Sequence, residues 1–298
     1  MRPLIFIACA TLVVAATRSA RAAPDTPVYR VTLDLDLPIV MIAGAVASTF
    51  VLRGELEGPR CAPRCDGSRV NFLDRPVVGL YSRTWSIAGD VATAVFMAFP
   101  SIAIIADEGF TAGVVDNVVI LEAPLVASAL QVSLAYAVER PRPRTYGDAA
   151  PLEDRTHADA GRSFFSGHVA NVMAVTIATM RTFQRAGEPG LSWMVLGVGG
   201  TGTAFVGLAR VLAGGHFPTD VLAGAAVGIG LGFALPALHD DARARSTAVA
   251  TGAAPTVGAG STALGRGVSW PALRDVSFQV APVLHPGGAG ITIFGALR

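Results

Sequence analysis

The chain has 298 residues, of which 52% are hydrophobic and 15% charged, and its mean hydropathy is +0.52. Soluble domains carry about 25% charged residues, so this composition argues against a soluble globule and predicts an all-α, multi-pass helical membrane bundle. The 23 basic and 22 acidic residues are spread along the chain and leave a net charge of +1, which excludes the basic surface that nucleic acid requires.

Residues 1–22 have the layout of a secretory signal peptide. Arg2 precedes an apolar run at residues 4–16, and the small residues Ala20 and Ala22 follow it. The run of about 13 residues is short for a membrane span, which needs about 20. A cleaved signal peptide is therefore favoured over an uncleaved membrane anchor.

The region 23–83 contains a short apolar segment and a pair of cysteines. The segment 38–52 has about 15 residues and is expected to lie in the membrane interface. Cys61 and Cys65 stand in a polar loop with Pro63 and Gly67, where two thiols can form a disulfide in an oxidising compartment. A metal site at these cysteines is the weaker interpretation, because no third or fourth ligand is close in sequence.

Residues 84–238 form the predicted membrane domain. With segment 38–52 they predict five or six spans, the longer ones at about residues 84–106, 112–138, 169–183, 192–212 and 220–238. Polar residues inside these segments are expected to bridge helices in the interior of the bundle, with a role in chemistry as the weaker alternative; they are Asp90, Asp116, Glu122 and Gln131.

The last part of the chain, 239–298, differs in composition from the membrane domain. Residues 239–266 are rich in Ala, Gly, Ser and Thr, which is typical of a linker. Alternating apolar residues at 276–284 and 291–297, separated by a turn at 286–290, predict a β-hairpin-like tail. No function follows from this tail.

Four polar clusters fall at helix ends that share one membrane face, because connections between consecutive spans alternate sides. They lie at the end of segment 112–138, the start of 169–183, the end of 192–212 and the start of 220–238. Their residues are Arg140, Arg142 and Arg144; Ser166, Gly167 and His168; Arg210; and His216 with Asp220. This convergence predicts a single site just outside the hydrocarbon.

The opposite face carries its own basic residues. Arg181 and Arg185 lie in a short connection, and Arg243 and Arg245 follow the last segment, so the positive-inside rule makes this face cytoplasmic. The site then faces the periplasmic side of a bacterial-type cell membrane. This orientation agrees with a cleaved signal only if segment 38–52 does not span the bilayer; if it does, the count of crossings turns the site inward.

The residue types at the site suit the transfer of an oxyanion. Arginine binds phosphate oxygens in pairs and stays charged, one histidine can attack, and a second can protonate the leaving oxygen. Asp220, four positions after His216, can orient that histidine by accepting its other ring proton. No acidic cluster is available for Mg²⁺ and no glycine loop precedes a lysine, which disfavours nucleotide-dependent phosphoryl transfer.

Three short motifs lie at these helix ends. They read Arg140-Pro-Arg-Pro143, Phe165-Ser-Gly-His168, and Ala209-Arg210 followed by His216 and Asp220. In this order and spacing they resemble the signature of the type 2 phosphatidic acid phosphatase (PAP2) superfamily, membrane branch, which reads Lys-x6-Arg-Pro, Pro-Ser-Gly-His and Ser-Arg-x5-His-x3-Asp. The resemblance covers roughly residues 84–238.

This resemblance implies hydrolysis of a phosphate or diphosphate monoester on a membrane lipid through a phosphohistidine intermediate, with no metal or other cofactor. His216 would be the nucleophile, Asp220 would orient its ring, and His168 would protonate the leaving group and then activate water. The phosphate oxygens would be held by Arg142, Arg210, Ser166 and the backbone amide of Gly167.

The sequence departs from the family signature at three positions. The family's Lys falls at Ala135, its Pro at Phe165 and its Ser at Ala209. Ala135 cannot touch phosphate, so Arg140 or Arg144 is expected to supply the missing cation.

Two other functions stay open. The three substitutions favour a non-catalytic membrane protein that binds a lipid phosphate, whereas the shared oxyanion-holding residues allow a vanadium haloperoxidase, against which the apolar segments count. The expected partners are the bilayer and a lipid phosphate; neither the lipid nor the oligomeric state is predicted.

Overall fold

The computed structural model describes residues 27–49, 58–251, 276–285 and 288–297. Within these ranges the α-helices are α1 Asp36–Ser48, α2 Arg83–Glu108, α3 Phe110–Val138, α4 Leu152–Thr156, α5 Gly167–Ala186, α6 Pro189–Leu212 and α7 Pro218–Thr251. Short 3-10 helices lie at Gly67–Arg69, Arg75–Val77, Pro143–Tyr146 and Ala158–Gly161. The strands β1 Val276–His285 and β2 Gly288–Leu297 pair antiparallel, with Val276 opposite Leu297. The signal peptide predicted at 1–22 lies outside the described residues.

Four of the described helices are long and apolar enough to cross a membrane. They are α2, α3, α6 and the Pro218–His239 part of α7. The chain is therefore a helical membrane protein, and this count over the described residues does not confirm five or six spans. α1 is apolar but has only 13 residues, which corresponds to about 20 Å.

α5 is the central helix of the bundle and packs against α2, α3, α6 and α7. It is less apolar than its neighbours because threonines take part of its buried surface, and the hydroxyls of Thr176 and Thr182 donate to carbonyls one turn earlier. The surrounding helices shield these polar groups from lipid. The first residues of α5, Gly167 and His168, consequently stand near the middle of one end of the bundle.

Tight connections join the helices at the other end. Gly109 alone separates α2 from α3, and Gly187 and Glu188 separate α5 from α6. The end of α3, the start of α5, the end of α6 and the start of α7 therefore meet at one end of the bundle, as the alternation of spans predicts. Two hydrogen bonds link these parts: the Ser166 N–H donates to the Asp220 carbonyl, and the His216 N–H donates to the Arg210 carbonyl.

α1 runs lengthwise beside α3, which differs from the expected position of segment 38–52 in the membrane interface. Asp36 at its start lies close to Glu122, and the Tyr136 hydroxyl near the end of α3 donates to the Thr49 carbonyl over 3.0 Å. The residues before α1 lie at the end of the bundle away from the helix ends with the polar clusters, where the backbone N–H of Tyr29 donates to Asp116 over 2.8 Å.

The predicted boundary between the last helix and the linker at 239–266 lies too early in the sequence. α7 continues to Thr251 instead of ending near residue 238. The predicted end followed the loss of apolar residues, but residues 240–251 contain alanine and arginine, which favour a helix whether or not it is apolar.

The turn between α6 and α7 requires glycine at position 214. Gly214 has a φ of +69°, and a Cβ there would overlap the carbonyl oxygen of Leu80.

Gly214→Ala is expected to lower the free energy of unfolding by about 2–4 kcal/mol, measured as a lower melting temperature in detergent. The control is Gly230→Ala in α7, where a Cβ meets no atom within 4 Å, and its melting temperature should equal that of the wild type or exceed it slightly. Equal losses in the two variants would contradict this account.

Candidate active site

The end of α6 folds back on itself and places His216 in the interior. The backbone N–H groups of Gly215 and His216 both donate to the Arg210 carbonyl, over 3.0 and 3.2 Å. These bonds satisfy a carbonyl of the last helical turn and bring the His216 ring under the neighbouring loop. Only 2% of His216 is exposed.

The His216 ring has a defined tautomer. Its Nδ1 lies 2.7 Å from the backbone carbonyl oxygen of Ser163, and a carbonyl can only accept a hydrogen bond. Nδ1 therefore carries the proton and Nε2 keeps its lone pair. Burial, together with the charges of Arg142 and His168, holds the pKa of the His216 imidazole well below its usual value. The ring is neutral at physiological pH.

Asp220 does not accept the second ring proton of His216, which corrects the sequence prediction. Its carboxylate accepts hydrogen bonds from the Ser163 hydroxyl, from the Arg140 guanidinium and, over 2.9 Å, from the Phe217 N–H. The last bond caps the start of α7, because a carboxylate in the first helical turn reaches back to the N–H that precedes the helix. Asp220 thus orients the residue that holds His216, one contact removed from the ring.

Arg140 is not placed as the predicted phosphate ligand. Its guanidinium binds Asp74 over 2.6 Å, the Thr219 hydroxyl over 2.9 Å, and Asp220, and it lies over the Phe217 ring. Burial by itself would raise the pKa of Asp74, but hydrogen bonds from Thr219 and Arg140 outweigh it and lower that pKa. Asp74 therefore stays anionic, and Arg140 links the loop before α2 to the start of α7.

Arg142 and Arg144 lie side by side on Asp159. The Arg142 Nε and Nη2 donate to the carbonyl and carboxylate of Asp159 over 2.9 and 2.8 Å, and its Nη1 donates to the Gly215 carbonyl over 3.1 Å. Arg144 Nη2 lies 3.7 Å from the same carboxylate, and its backbone N–H donates to the Gly214 carbonyl. These contacts hold two guanidinium groups against the turn that carries His216.

Arg210 and His168 meet at Asp90. Asp90 Oδ1 lies 3.0 Å from Arg210 Nη2 and 3.1 Å from His168 Nε2, and Arg210 Nη1 lies 3.4 Å from that ring nitrogen. Glycine at position 89 makes room for this arrangement, since a Cβ there would lie 2.7 Å from the Arg210 guanidinium. The sequence prediction assigned Asp90 to helix bridging. Asp90 could have been recognised as a site residue because it lies in the second turn of α2, which begins at the same end of the bundle as the site.

The start of α5 offers further hydrogen-bond donors. Ser166 is fully buried, and its hydroxyl has no hydrogen-bond partner among the described residues. Gly167 follows as the first helical residue, where backbone N–H groups lack an intrahelical partner and the helix dipole favours an anion. The Gln131 side chain lies against Gly167. The Ser166 hydroxyl and the Gly167 amide are thus free of intrahelical partners at the start of α5.

The three positions that depart from the motif pattern belong to the core. Ala135, Phe165 and Ala209 are at most 1% exposed. The Phe165 ring packs with Ala127 and Ala170 in an apolar cluster. The core therefore accommodates the residues at these three positions.

A family model described as the PAP2 superfamily matches residues 116–244, which include all three motifs. Among solved structures, the chain is similar to a transmembrane PAP2-type phosphatidylglycerolphosphate phosphatase from Bacillus subtilis, with 18% sequence identity and a TM-score of 0.42 over 69% of this chain and 96% of that chain. None of the curated proteins matches significantly. Within the PAP2 match, the described structure brings His216, His168, Arg142 and Arg210 into one connected cluster.

Proposed function

We propose that the chain hydrolyses a phosphate or diphosphate monoester on a membrane lipid, through a phosphohistidine at His216 and without a metal ion in the reaction. The observation that carries the proposal is the state of the His216 ring. The Ser163 carbonyl fixes the proton on Nδ1, and the lowered pKa keeps Nε2 unprotonated beside the cations that an anionic substrate requires.

The proposed reaction has two steps that balance in atoms and charge. In the first, His216 Nε2 bonds to phosphorus while the bond from phosphorus to the ester oxygen breaks, and His168 donates a proton to that oxygen. In the second, His168 takes a proton from water, the water oxygen bonds to phosphorus, and the bond to Nε2 breaks. Inorganic phosphate leaves in this second step for either substrate. The product of the first step, which stays in the membrane, is the lipid alcohol from a monoester or the lipid monophosphate from a diphosphate.

Arginines stabilise the charge that develops on the phosphoryl oxygens. Arg142 and Arg210 are the main ligands, aided by the Ser166 hydroxyl and the amide of Gly167. Arg144 takes the place of the family lysine, because it shares Asp159 with Arg142, whereas the contacts of Arg140 with Asp74 and Asp220 occupy its guanidinium.

The surroundings of Asp90 support a lipid as the substrate. The Asp90 side chain is 57% exposed, and the apolar neighbours Ile87 and Val91 on α2 are 53% and 59% exposed. A lipid tail can lie along this face of α2 while the head group displaces the Asp90 carboxylate from Arg210.

The site is proposed to face the extracytoplasmic side. Cys61 and Cys65 form a disulfide, which requires an oxidising compartment, and the Cys65 N–H donates to the Thr145 carbonyl in the loop that also carries Arg142. Arg181 and Arg185 lie at the opposite end, in agreement with the positive-inside rule.

This orientation has a consequence for the N-terminal segment. If α1 crosses the membrane beside α3, the residues before it, including Tyr29, lie on the cytoplasmic side. A cleaved signal at residues 1–22 would place these residues outside. An extracytoplasmic site with α1 crossing the membrane and a cleaved signal peptide therefore exclude each other.

Asp148→Cys and Gly190→Cys in a Cys9→Ser background test the orientation. A membrane-impermeant maleimide applied to intact cells should label position 148 and spare position 190. The reverse pattern would refute the proposed orientation.

The experiment that tests the function is phosphate release by the purified chain in detergent. Phosphatidate, phosphatidylglycerolphosphate and a polyprenyl diphosphate form the panel, each labelled in the terminal phosphate. An alkaline quench with denaturing detergent should retain a label on the protein, and later treatment with acid should release it. Binding of a lipid phosphate without release would favour the non-catalytic alternative. Halide oxidation that depends on added vanadate would favour the haloperoxidase.

Asp90→Asn is expected to lower kcat/KM for phosphate release by about 10- to 100-fold, because it removes the charge that stabilises the protonated ring of His168. The pKa of His168 falls when that charge is lost, so the alkaline limb of the pH profile should move to lower pH. The control is Asp148→Asn, an exposed carboxylate paired with Arg64 and Arg155. A loss of activity with an unshifted pH profile would show that Asp90 acts only in packing.

A further inference from the structure

A second polar cluster lies in the half of the bundle away from the active site. Asp36 of α1, Glu122 of α3 and His239 of α7 meet there, with one potential ligand atom from each residue within 4.8 Å of the others. The three residues are 4%, 1% and 4% exposed. About four helical turns, roughly 24 Å, separate Glu122 from the end of α3 at the active site.

The contacts inside this cluster leave two carboxylate oxygens without a partner. His239 Nε2 lies 3.0 Å from Glu122 Oε2 and 3.8 Å from Asp36 Oδ1, while the Thr32 N–H donates to Asp36 Oδ2. In the part of the chain that the structure describes, Asp36 Oδ1 and Glu122 Oε1 are buried and accept no hydrogen bond. Buried polar atoms without a partner are uncommon and destabilising, so these two oxygens indicate a missing ligand.

The charges of the cluster indicate the sign and magnitude of the charge on that ligand. When both carboxylates are ionised they contribute two negative charges, and a protonated His239 can balance only one of them. A divalent cation balances both while the imidazole stays neutral and binds through Nε2. The Tyr29 ring packs against His239 at a centroid distance of 5.9 Å and covers the site from the N-terminal side.

We propose that Asp36, Glu122 and His239 bind a divalent transition-metal ion, with Zn²⁺ as the best match. Imidazole nitrogen and carboxylate oxygen are zinc ligands, and tetrahedral bonds of about 2.0–2.2 Å place ligand atoms about 3.3–3.6 Å apart. The separations of His239 Nε2 from Glu122 Oε2 and from Asp36 Oδ1, 3.0 and 3.8 Å, bracket that range, and all three ligand atoms lie within 4.8 Å of one another. The ion joins α1 to α3 and α7, takes no part in the reaction at His216, and does not depend on the proposed function.

Zinc binding by the untagged full chain in detergent tests the proposal. The protein is stripped with a chelator, titrated with Zn²⁺ alone, desalted and analysed for bound metal. One zinc per chain and a higher melting temperature are expected for the wild type, and the zinc content of His239→Gln and Glu122→Gln should fall at least about fivefold. His157→Gln, which changes an exposed histidine at the other end of the bundle, is the matched control and should keep the full equivalent.

A measurement on the wild type covers the case in which the variants do not fold. Co²⁺ loaded in place of Zn²⁺ should give the visible absorption of a tetrahedral site. A wild type that keeps no metal, variants that keep a full equivalent, or an octahedral Co²⁺ spectrum would each overturn the proposal. The cluster would then be a histidine–carboxylate group neutralised by protons.

Discussion

His216→Ala is expected to abolish phosphate release, with a loss of at least about 10³-fold in kcat. The variant removes the imidazole whose Nδ1 proton is fixed on the Ser163 carbonyl and whose Nε2 lone pair is the proposed nucleophile. It should also leave no acid-labile phosphate on the protein after a quench. The measurement combines the release of labelled phosphate with the trapping of the intermediate.

The control for this variant is His157→Gln, whose ring is exposed. It should keep kcat within about threefold of the wild type. His168→Ala separates the two steps further, because it lacks the proton donor but keeps the nucleophile. Unchanged turnover in His216→Ala would remove the basis of the proposed function.

Arg142→Gln is expected to lower kcat/KM by about 10²- to 10³-fold, because it removes a proposed ligand of the phosphoryl oxygens. Asp159 and the Gly215 carbonyl hold the Arg142 guanidinium beside His216. Its charge also lowers the pKa of His216. When that charge is removed, the pKa rises and more of the nucleophile is protonated in mild acid. The acid limb of the kcat/KM profile should therefore move to higher pH.

Arg142→Lys should recover less than about one tenth of the lost activity, since a lysine ammonium cannot reproduce three donors in a fixed plane. The matched control is Arg64→Gln, which removes an exposed arginine that pairs with Asp148. A variant of Arg142 with reduced activity and an unchanged acid limb would show that its charge does not reach His216.

The long helices could be predicted from the sequence because each is a sustained apolar run between glycine, proline or charged residues. The predicted segment 84–106 compares with α2 at Arg83–Glu108, and 192–212 compares with α6 at Pro189–Leu212. The extension of α7 could not be predicted in this way, because it does not depend on apolar residues. The path of α1 beside α3 depends on contacts such as that between Tyr136 and Thr49, which no local pattern encodes.

The residues that the sequence assigned to the site meet because each lies at a helix end on the same side of the bundle. Their individual roles were harder to predict. The partner of His216 is a backbone carbonyl, which carries no side-chain signal, and Asp90 lies outside the three motifs. Arg140 and Arg142 differ by two positions in sequence, yet Arg140 binds the carboxylates of Asp74 and Asp220, whereas Arg142 binds the turn that carries His216.

The Asp220 carboxylate serves three neighbours at once: Ser163, Arg140 and the N–H that begins α7. A change to this aspartate would leave the buried Ser163 hydroxyl without its acceptor and would leave Arg140 with Asp74 as its remaining anionic partner. Natural variation at these positions should therefore be correlated. Homologues that lack Asp220 should also have replaced Arg140 and Ser163. Substitution of one of these three residues without the others is not expected.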